Sequence, residues 1–197
     1  MDHIRFAVAL AASKPTSLLV FSGGQTRSEA GPRSEAQSYW TLADHSSWWG
    51  EVDVRNRATT EEFARDSFEN LLFGIARFRE CTGNYPESIE IVGWNFKSRR
   101  FDLHRRTVGW PGEDSFRYHG INNPQALDTA IRGETAVLAA FGLDPFGTEG
   151  DLLEKRRRRN PFLRWHPYAI SCPEIAALLG HRTCRGITFD GTLPWSV

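Results

Sequence analysis

Leu18-Leu19-Val20-Phe21-Ser22-Gly23-Gly24-Gln25-Thr26 is the strongest indication of fold class in this chain of 197 residues. Its apolar residues end at a small hydroxyl and two glycines, which is typical of a buried parallel strand that stops where the backbone approaches another group closely. In open α/β sheets, ligands bind at the carboxyl ends of the strands, near the N-termini of the following helices. The next helix is predicted to begin near Ser34, with Glu35 just inside it. A plain glycine turn is the alternative, because a single Gly-Gly pair is weak evidence for phosphate binding.

A second segment, 64–73, predicts the start of a helix that continues to about Cys81. Apolar residues recur at helical spacing along it, beginning with Phe68 and Leu71. Polar side chains near its start either cap the helix or face a ligand, and these are Ser67, Glu69 and Asn70. Both interpretations stay open at the level of sequence.

A third segment, 89–95, is predicted to form another strand, and two cations follow it at the start of the next helix. Lys97 and Arg100 are three residues apart and therefore lie on one side of the first turn. Positive charge at a helix N-terminus opposes the helix dipole, so these residues do not serve helix stability. A bound anion would explain them, and a solvated basic face is the alternative.

Together, these segments resemble the YdcF/SanA/ElyC-like family of domains of unknown function, and most of all its fungal branch. The family's motifs match at Ser22-Gly23-Gly24, at Ser34-Glu35-Ala36, at Glu61 with Ser67, Glu69 and Asn70, and at Lys97 with Arg100. Lys97 stands where the family has the histidine of a His-x-x-Arg step. The fungal branch also resembles this chain at 31–33, 65–73 and 159–162, and the likeness extends roughly from Ile4 to Leu179.

The resemblance implies a Rossmann-like three-layer α/β sandwich with a mostly parallel sheet, in one domain over 1–179 followed by a loosely structured tail over 180–197. Strands predicted near 18–22, 57–60, 89–94 and 116–121, with helices between them, agree with such a sheet. The resemblance also implies a cleft at the carboxyl ends of the strands that binds an anionic, nucleotide-like small molecule, and it implies S-adenosylmethionine or another nucleotide-like ligand as the cofactor. The ligand-binding residues that it carries over are Ser22, Gly23, Gly24, Glu35, Glu61, Ser67, Glu69, Asn70, Lys97 and Arg100. It assigns no catalytic residue and no reaction.

The N-terminus departs from the family's pattern. Residues 4–12 have a helical apolar face, and Pro15 then breaks the pattern, so the chain begins inside the family's first helix and the first strand is expected to be missing. That strand is central in a doubly wound sheet, and its loop would form one wall of the cleft. The alternative function is therefore a non-catalytic or degenerate homologue that acts as a scaffold, or a truncated product.

Composition gives little support to several other functions. The 24 basic and 24 acidic residues balance, so no nucleic-acid partner is expected. No apolar run approaches the roughly 18 residues of a transmembrane helix, and no signal peptide is visible, so no membrane association is expected either. The 3 cysteines are isolated and the 6 histidines lack metal-binding spacing, which predicts a reduced, cytoplasmic location and no metal site. The oligomeric state is not defined by the sequence.

One charge run, Lys155-Arg156-Arg157-Arg158-Arg159, has the composition of a nuclear-import or nucleic-acid patch. A solvated helix face is favoured instead, because Glu149, Asp151 and Glu154 precede the bases by about one turn in the favourable order. No interleaved aromatic platform accompanies the run. A nuclear location through this run stays open as the alternative to a cytoplasmic one.

Overall fold

A computed structural model describes residues 1–112, 114–122, 126–181 and 189–196. The α-helices are α1 (Asp2–Ala12), α2 (Glu35–His45), α3 (Ser67–Thr82), α4 (Ser98–Thr107), α5 (Leu127–Leu143), α6 (Gly150–Arg158), α7 (Tyr168–Ser171) and α8 (Ala176–Leu179). The strands are β1 (Leu19–Ser22), β2 (Ala58–Glu61), β3 (Ile89–Gly93) and β4 (Phe116–Gly120). Short 3-10 helices lie at Ser28–Ala30, Ser47–Gly50, Val52–Arg57, Asn95–Lys97 and Pro173–Ile175.

The strands form two separate parallel pairs. β1 pairs with β2 in a register that sets Ser22 opposite Glu61, and β3 pairs with β4 in a register that sets Ile89 opposite Phe116. The predicted mixed α/β class with parallel strands is confirmed. One continuous sheet is not observed, because no strand in the described ranges hydrogen-bonds to both β1 and β3. The carboxyl ends of β1 and β2 therefore share one edge, and those of β3 and β4 share another.

Capping explains where α2 and α3 begin. The Ser34 side chain accepts from the backbone N–H of Gln37 at 2.9 Å, and the Gln37 side chain accepts from the backbone N–H of Ser34. Asp66 caps α3 by accepting from the backbone N–H of Glu69 at 2.9 Å. Glu35 is the first residue of α2, so the predicted start of that helix is confirmed.

Buried apolar side chains form two clusters. The larger one takes the inner face of α3, including Phe68, Leu71 and Leu72, and packs it against α5, α7 and α8. The smaller one joins α1, β1 and α2 to the segment 47–57. Trp48 lies in this second cluster with only 1% of its surface exposed, and its indole N–H donates to Asp44. Trp48 of the Trp48-Trp49-Gly50 stretch is thus part of the core.

Part of the C-terminal tail packs against the larger cluster. Leu193 and Trp195 are buried there, and the Trp195 indole N–H donates to the Val108 carbonyl at 2.9 Å. Over 189–196 the structure therefore differs from the expected loose tail, because two large apolar side chains are buried beside the end of α4. Residues 182–188 and 197 of that tail lie outside the described residues.

Candidate functional site

Four polar side chains meet at the shared end of β1 and β2. The Ser22 hydroxyl donates to Glu61 Oε2 at 2.7 Å and lies 3.0 Å from Asn70 Oδ1. The Tyr168 hydroxyl, from α7, donates to Glu61 Oε1 at 3.0 Å. The contact between Ser22 and Glu61 follows from the parallel register, which sets these two residues opposite each other. Ser22, Glu61, Asn70 and Tyr168 are called the Glu61 cluster below.

Glu61 is buried, and its carboxylate is saturated with hydrogen bonds. Its exposed fraction is 0%, and it also accepts from the backbone N–H groups of Phe63 at 2.8 Å and Ala64 at 3.3 Å. Burial raises the pKa of Glu61, and the bonds from Ser22 and the other donors partly oppose that rise. The Glu61 cluster therefore joins the strand ends to α7 and presents no free carboxylate at the surface. Sequence patterns gave no indication of Tyr168, since it lies in a segment without periodicity.

Close backbone packing accounts for Gly23 and Gly24. A Cβ on Gly23 would lie 2.8 Å from Glu35 Cβ, and one on Gly24 would lie 2.8 Å from the Ala64 carbonyl oxygen. The Gly23 N–H donates to the Glu61 carbonyl at 3.0 Å, and the Gly24 N–H donates to the Ala64 carbonyl at 2.7 Å. The backbone donors expected to face a ligand are thus used within the protein, because this loop packs between the start of α2 and the segment after β2.

The predicted acidic residues at the two helix starts are paired with protein groups. Glu35 accepts from the Thr26 hydroxyl at 2.6 Å and from Arg159 at 3.3 Å. Glu69 is 3% exposed and accepts from both the backbone N–H and the guanidinium of Arg65. These contacts place the two carboxylates among cations, where they hold guanidinium groups in position.

Ser67 connects the start of α3 with α4. Its hydroxyl oxygen lies 2.9 Å from His104 Nε2 and accepts from Arg100 Nη1 at 3.4 Å. Because a guanidinium can only donate, the Ser67 proton is available for the His104 nitrogen. Ser67 thus stands between a cation and a histidine at the N-terminal end of α3.

His104 is enclosed by aromatic rings. Its exposed fraction is 0%, and the rings of Phe68, Phe101 and Phe141 pack against it edge-on. Its Nδ1 has no hydrogen-bond partner among the described residues. Burial lowers the pKa of His104 to about 3, so the imidazole is neutral at physiological pH. Nothing in the sequence pointed to it, since a lone histidine in a basic helix forms no motif.

Arg100 is balanced by a carboxylate of the protein itself. Its guanidinium binds Glu134 of α5 through both Nε, at 2.9 Å, and Nη2. The two side chains are 10% and 9% exposed. The expected explanation for Arg100, a bound anion, is therefore incomplete, because Glu134 neutralises this charge.

Lys97 differs from Arg100 in that it has no ion pair within the described ranges. It is half-buried just before α4, with Nζ 5.8 Å from the centroid of the Phe96 ring. Burial lowers the pKa of Lys97, and the positive charge of Arg100 lowers it further. Lys97 is therefore an unbalanced cation that a bound anion would stabilise.

α6 turns part of the basic run toward this region. Arg156 Nε donates to Asp66 Oδ2 at 2.6 Å, and Arg156 is only 6% exposed. Arg159, one turn further on, reaches Glu35. The predicted solvated face is therefore wrong for these arginines, since they pair with carboxylates at the starts of α3 and α2. It holds for Arg157 and Arg158, which are exposed.

Lys155 is half-buried on the same side of α6 and has no ion pair with any residue that the structure describes. Burial lowers its pKa, and the charges of Arg159 and Arg100 lower it further. Contacts of Arg156 with Asp66 and of Arg159 with Glu35 hold α6 against the starts of α3 and α2, and Ser67 at the start of α3 contacts Arg100. We call Lys97, Arg100, Lys155 and Arg159 the cation cluster.

Comparison with known proteins identifies a fungal relative. The chain is 32% identical to "Uncharacterized protein YOR238W" of Saccharomyces cerevisiae over 228 aligned positions, which cover 88% of this chain and 75% of the yeast protein. The chain belongs to the family of this yeast protein. No protein-family model matches it, and no solved structure matches it significantly.

For this member of the yeast protein's family, contacts link most of the predicted site residues into one set. Asn70 and Ser67, both on α3, join the Glu61 cluster to Arg100, which follows Lys97 by three residues. Glu35, which lies against Gly23, joins the same set through Arg159. Sequence patterns did not assign the basic run, residues 155–159, to the site.

Other kinds of site receive no support from the described residues. Surface depressions of about 340 and 330 Å³ lie at the start of α5 and beside β2, and neither is lined by the predicted site residues. Within the described ranges, no group of three or more His, Cys, Asp or Glu is placed to hold a metal ion. Over those same ranges, no helix is long and apolar enough to cross a membrane.

Proposed function

We propose that this protein binds an anionic, nucleotide-like small molecule beside the starts of α3 and α4, in a YdcF-like domain whose strand pairs belong to one Rossmann-like three-layer arrangement. The observation that supports this best is Lys97, a half-buried cation with no ion pair in the described part of the chain. An unpaired charge is costly to bury, and a bound anion would remove that cost. In this proposal Lys97 binds the anionic group and Ser67 donates or accepts a hydrogen bond.

The remaining predicted residues have supporting roles in the proposal. Arg100, held by Glu134, adds positive potential beside Lys97. Glu35 and Glu69 fix Arg159 and Arg65, and the Glu61 cluster holds the strand ends that support these groups. A cytoplasmic location also belongs to the proposal, because isolated cysteines suit a reducing compartment.

Substitution of Lys97 tests the proposal with adenosine monophosphate as the probe. Lys97→Ala should weaken binding at least tenfold, since a charge-assisted contact contributes about 1.5–3 kcal/mol. Arg99→Ala is the matched control, because Arg99 is the exposed cation two positions further along. Isothermal titration calorimetry measures both affinities. Equal affinity of wild type and Lys97→Ala would contradict the role of Lys97.

Arg100 is left unchanged in this test for a structural reason. A double change of Lys97 and Arg100 to alanine would leave Glu134 buried without its cation. Breaking a buried pair from one side costs about 3–5 kcal/mol. Loss of binding in that double variant would therefore report on unfolding as much as on the site.

A non-catalytic scaffold is the second candidate function. It is favoured by the saturation of the Glu61 cluster, whose acceptors are satisfied by the protein itself. A ligand that binds only the folded state must raise the unfolding temperature, so a panel of nucleotides separates the two functions. No thermal shift with any nucleotide at millimolar concentration would favour the scaffold.

A further inference from the structure

Two separate elements each bring an unpaired lysine to the cation cluster. Lys97 comes from the turn between β3 and α4, and Lys155 comes from α6. Each is half-buried, and neither has an ion pair with any residue in the described part of the chain. The arginines of the cluster are different, since Arg100 is paired with Glu134 and Arg159 with Glu35. The positive charge left over therefore belongs to the two lysines.

The lysines are positioned by helix geometry. Lys97, the residue before α4, precedes Arg100 by three residues, and Lys155 precedes Arg159, the residue after α6, by four, so each lysine lies about one turn from an arginine. The contact between Arg156 and Asp66 holds α6 against the start of α3, where Ser67 contacts Arg100. Each of the two helices thus presents one lysine-arginine pair to the same region.

We propose that the two pairs bind two adjacent phosphoryl groups, one at Lys97 and one at Lys155, so that the ligand is a nucleoside diphosphate. This inference rests on the proposed function and names the ligand class for that site. A phosphate monoester carries about −1.5 to −2 charge at neutral pH, which a single lysine does not neutralise, and a diphosphate carries more. S-adenosylmethionine, whose sulfonium is cationic, would be repelled by the same two lysines.

Glu35 and Glu134 add to this specificity. Their carboxylates accept from Arg159 and Arg100 and thereby fix both guanidinium groups, so the arginines keep their places when a ligand binds. A ligand with one phosphoryl group would leave one lysine unpaired and half-buried. A ligand with two would pair both. The site should therefore distinguish adenosine diphosphate from adenosine monophosphate.

Calorimetric titration of wild type and Lys155→Ala with both nucleotides tests this inference. Wild type should bind adenosine diphosphate at least about tenfold more tightly than adenosine monophosphate, the change expected for one added charge-assisted contact. Lys155→Ala should lose about tenfold affinity for the diphosphate and less than about threefold for the monophosphate. Arg158→Ala, an exposed base of the same run, is the control and should match wild type. Inorganic pyrophosphate should compete with the diphosphate, and S-adenosylmethionine should not.

The outcomes separate this inference from the proposed function. If both nucleotides bind wild type equally and Lys155→Ala changes neither, the two-phosphoryl assignment is overturned while a single-anion site at Lys97 stands. Tighter binding of S-adenosylmethionine than of the diphosphate also overturns it. If no nucleotide and no pyrophosphate binds wild type, both proposals fail. If Lys155→Ala weakens both nucleotides equally, Lys155 acts through its general field and the assignment of one phosphoryl group to it is overturned.

Discussion

Acidification should destabilise wild type more than a variant in which His104 is replaced by glutamine. Burial lowers the pKa of His104 from its ordinary 6.5 to about 3 in the folded protein. As the pH falls from about 7.5 to about 4.5, the unfolded chain therefore takes up a proton at His104 and the folded chain does not. The free energy of unfolding consequently decreases as the pH falls. Glutamine does not titrate, and its side chain keeps an acceptor for the Ser67 hydroxyl.

The magnitude of this loss follows from the two pKa values of His104. Each pH unit between the ordinary value and about pH 4.5 removes about 1.4 kcal/mol, which gives about 3 kcal/mol in total. Typical domains have only about 5–15 kcal/mol of stability, so the effect is large enough to measure. Burial opposes ionisation of Asp66, yet the Arg156 charge keeps the pKa of Asp66 below its ordinary value, and this acid-labile pair is present in both proteins.

Urea denaturation followed by tryptophan fluorescence gives the free energy of unfolding at both pH values. Wild type should lose about 3 kcal/mol more than His104→Gln over the interval. His45→Gln serves as control, because His45 is exposed and its replacement should leave the acid loss of wild type unchanged. Equal acid losses in wild type and His104→Gln would refute the reasoning, since they would mean that His104 is protonated in the folded chain.

Two glycines and one tyrosine provide further predictions. Gly24→Ala should lower the free energy of unfolding by about 1–3 kcal/mol, because its Cβ would approach the Ala64 carbonyl oxygen. Gly74→Ala, in α3 with open space around its Cβ, should raise it by about 1 kcal/mol. Calorimetric unfolding temperatures that shift in the same direction for both variants would contradict this. Tyr168→Phe removes a donor from Glu61 and should cost about 1–2 kcal/mol. Burial already raises the pKa of Glu61 in the folded protein, and removal of the Tyr168 hydroxyl would raise it further, so the loss of stability should grow with pH. Urea titrations that give the same loss at every pH would contradict this.

Local sequence signals were sufficient to place most of the helices and strands. The strand before Ser22 and the helix after Ser34 were found because apolar spacing and capping residues act within a few positions of each other. The division into two strand pairs could not be found in this way, since pairing depends on which strands become neighbours in space. The burial of Trp195 could not be predicted for the same reason, because its partners lie far away in the chain.

The candidate site was predictable only where its residues belong to a local motif. Lys97 and Arg100 are recognisable in the sequence as two cations at a helix start. The partner of Arg100 is Glu134, which lies on α5, 34 positions later in the chain. Asp66 and Arg156 are 90 positions apart, so nothing local could link the basic run to α3. Charge patterning therefore favoured a solvated face for residues that the fold buries or pairs.

The contact between Arg156 and Asp66 fixes the rotation of α6 about its own axis. The cation cluster therefore depends on that rotation and not on the number of bases in the run. Successive helical residues are turned by about 100°, so five consecutive bases point in five directions, and only the phase fixed by this contact sends Lys155 and Arg159 inward. One residue inserted between the start of α6 and Lys155 would preserve every charge in the run while exchanging its buried and solvated members. Relatives with equally basic runs can therefore differ in whether they possess the cation cluster, and spacing from the start of the helix is the feature by which to compare them.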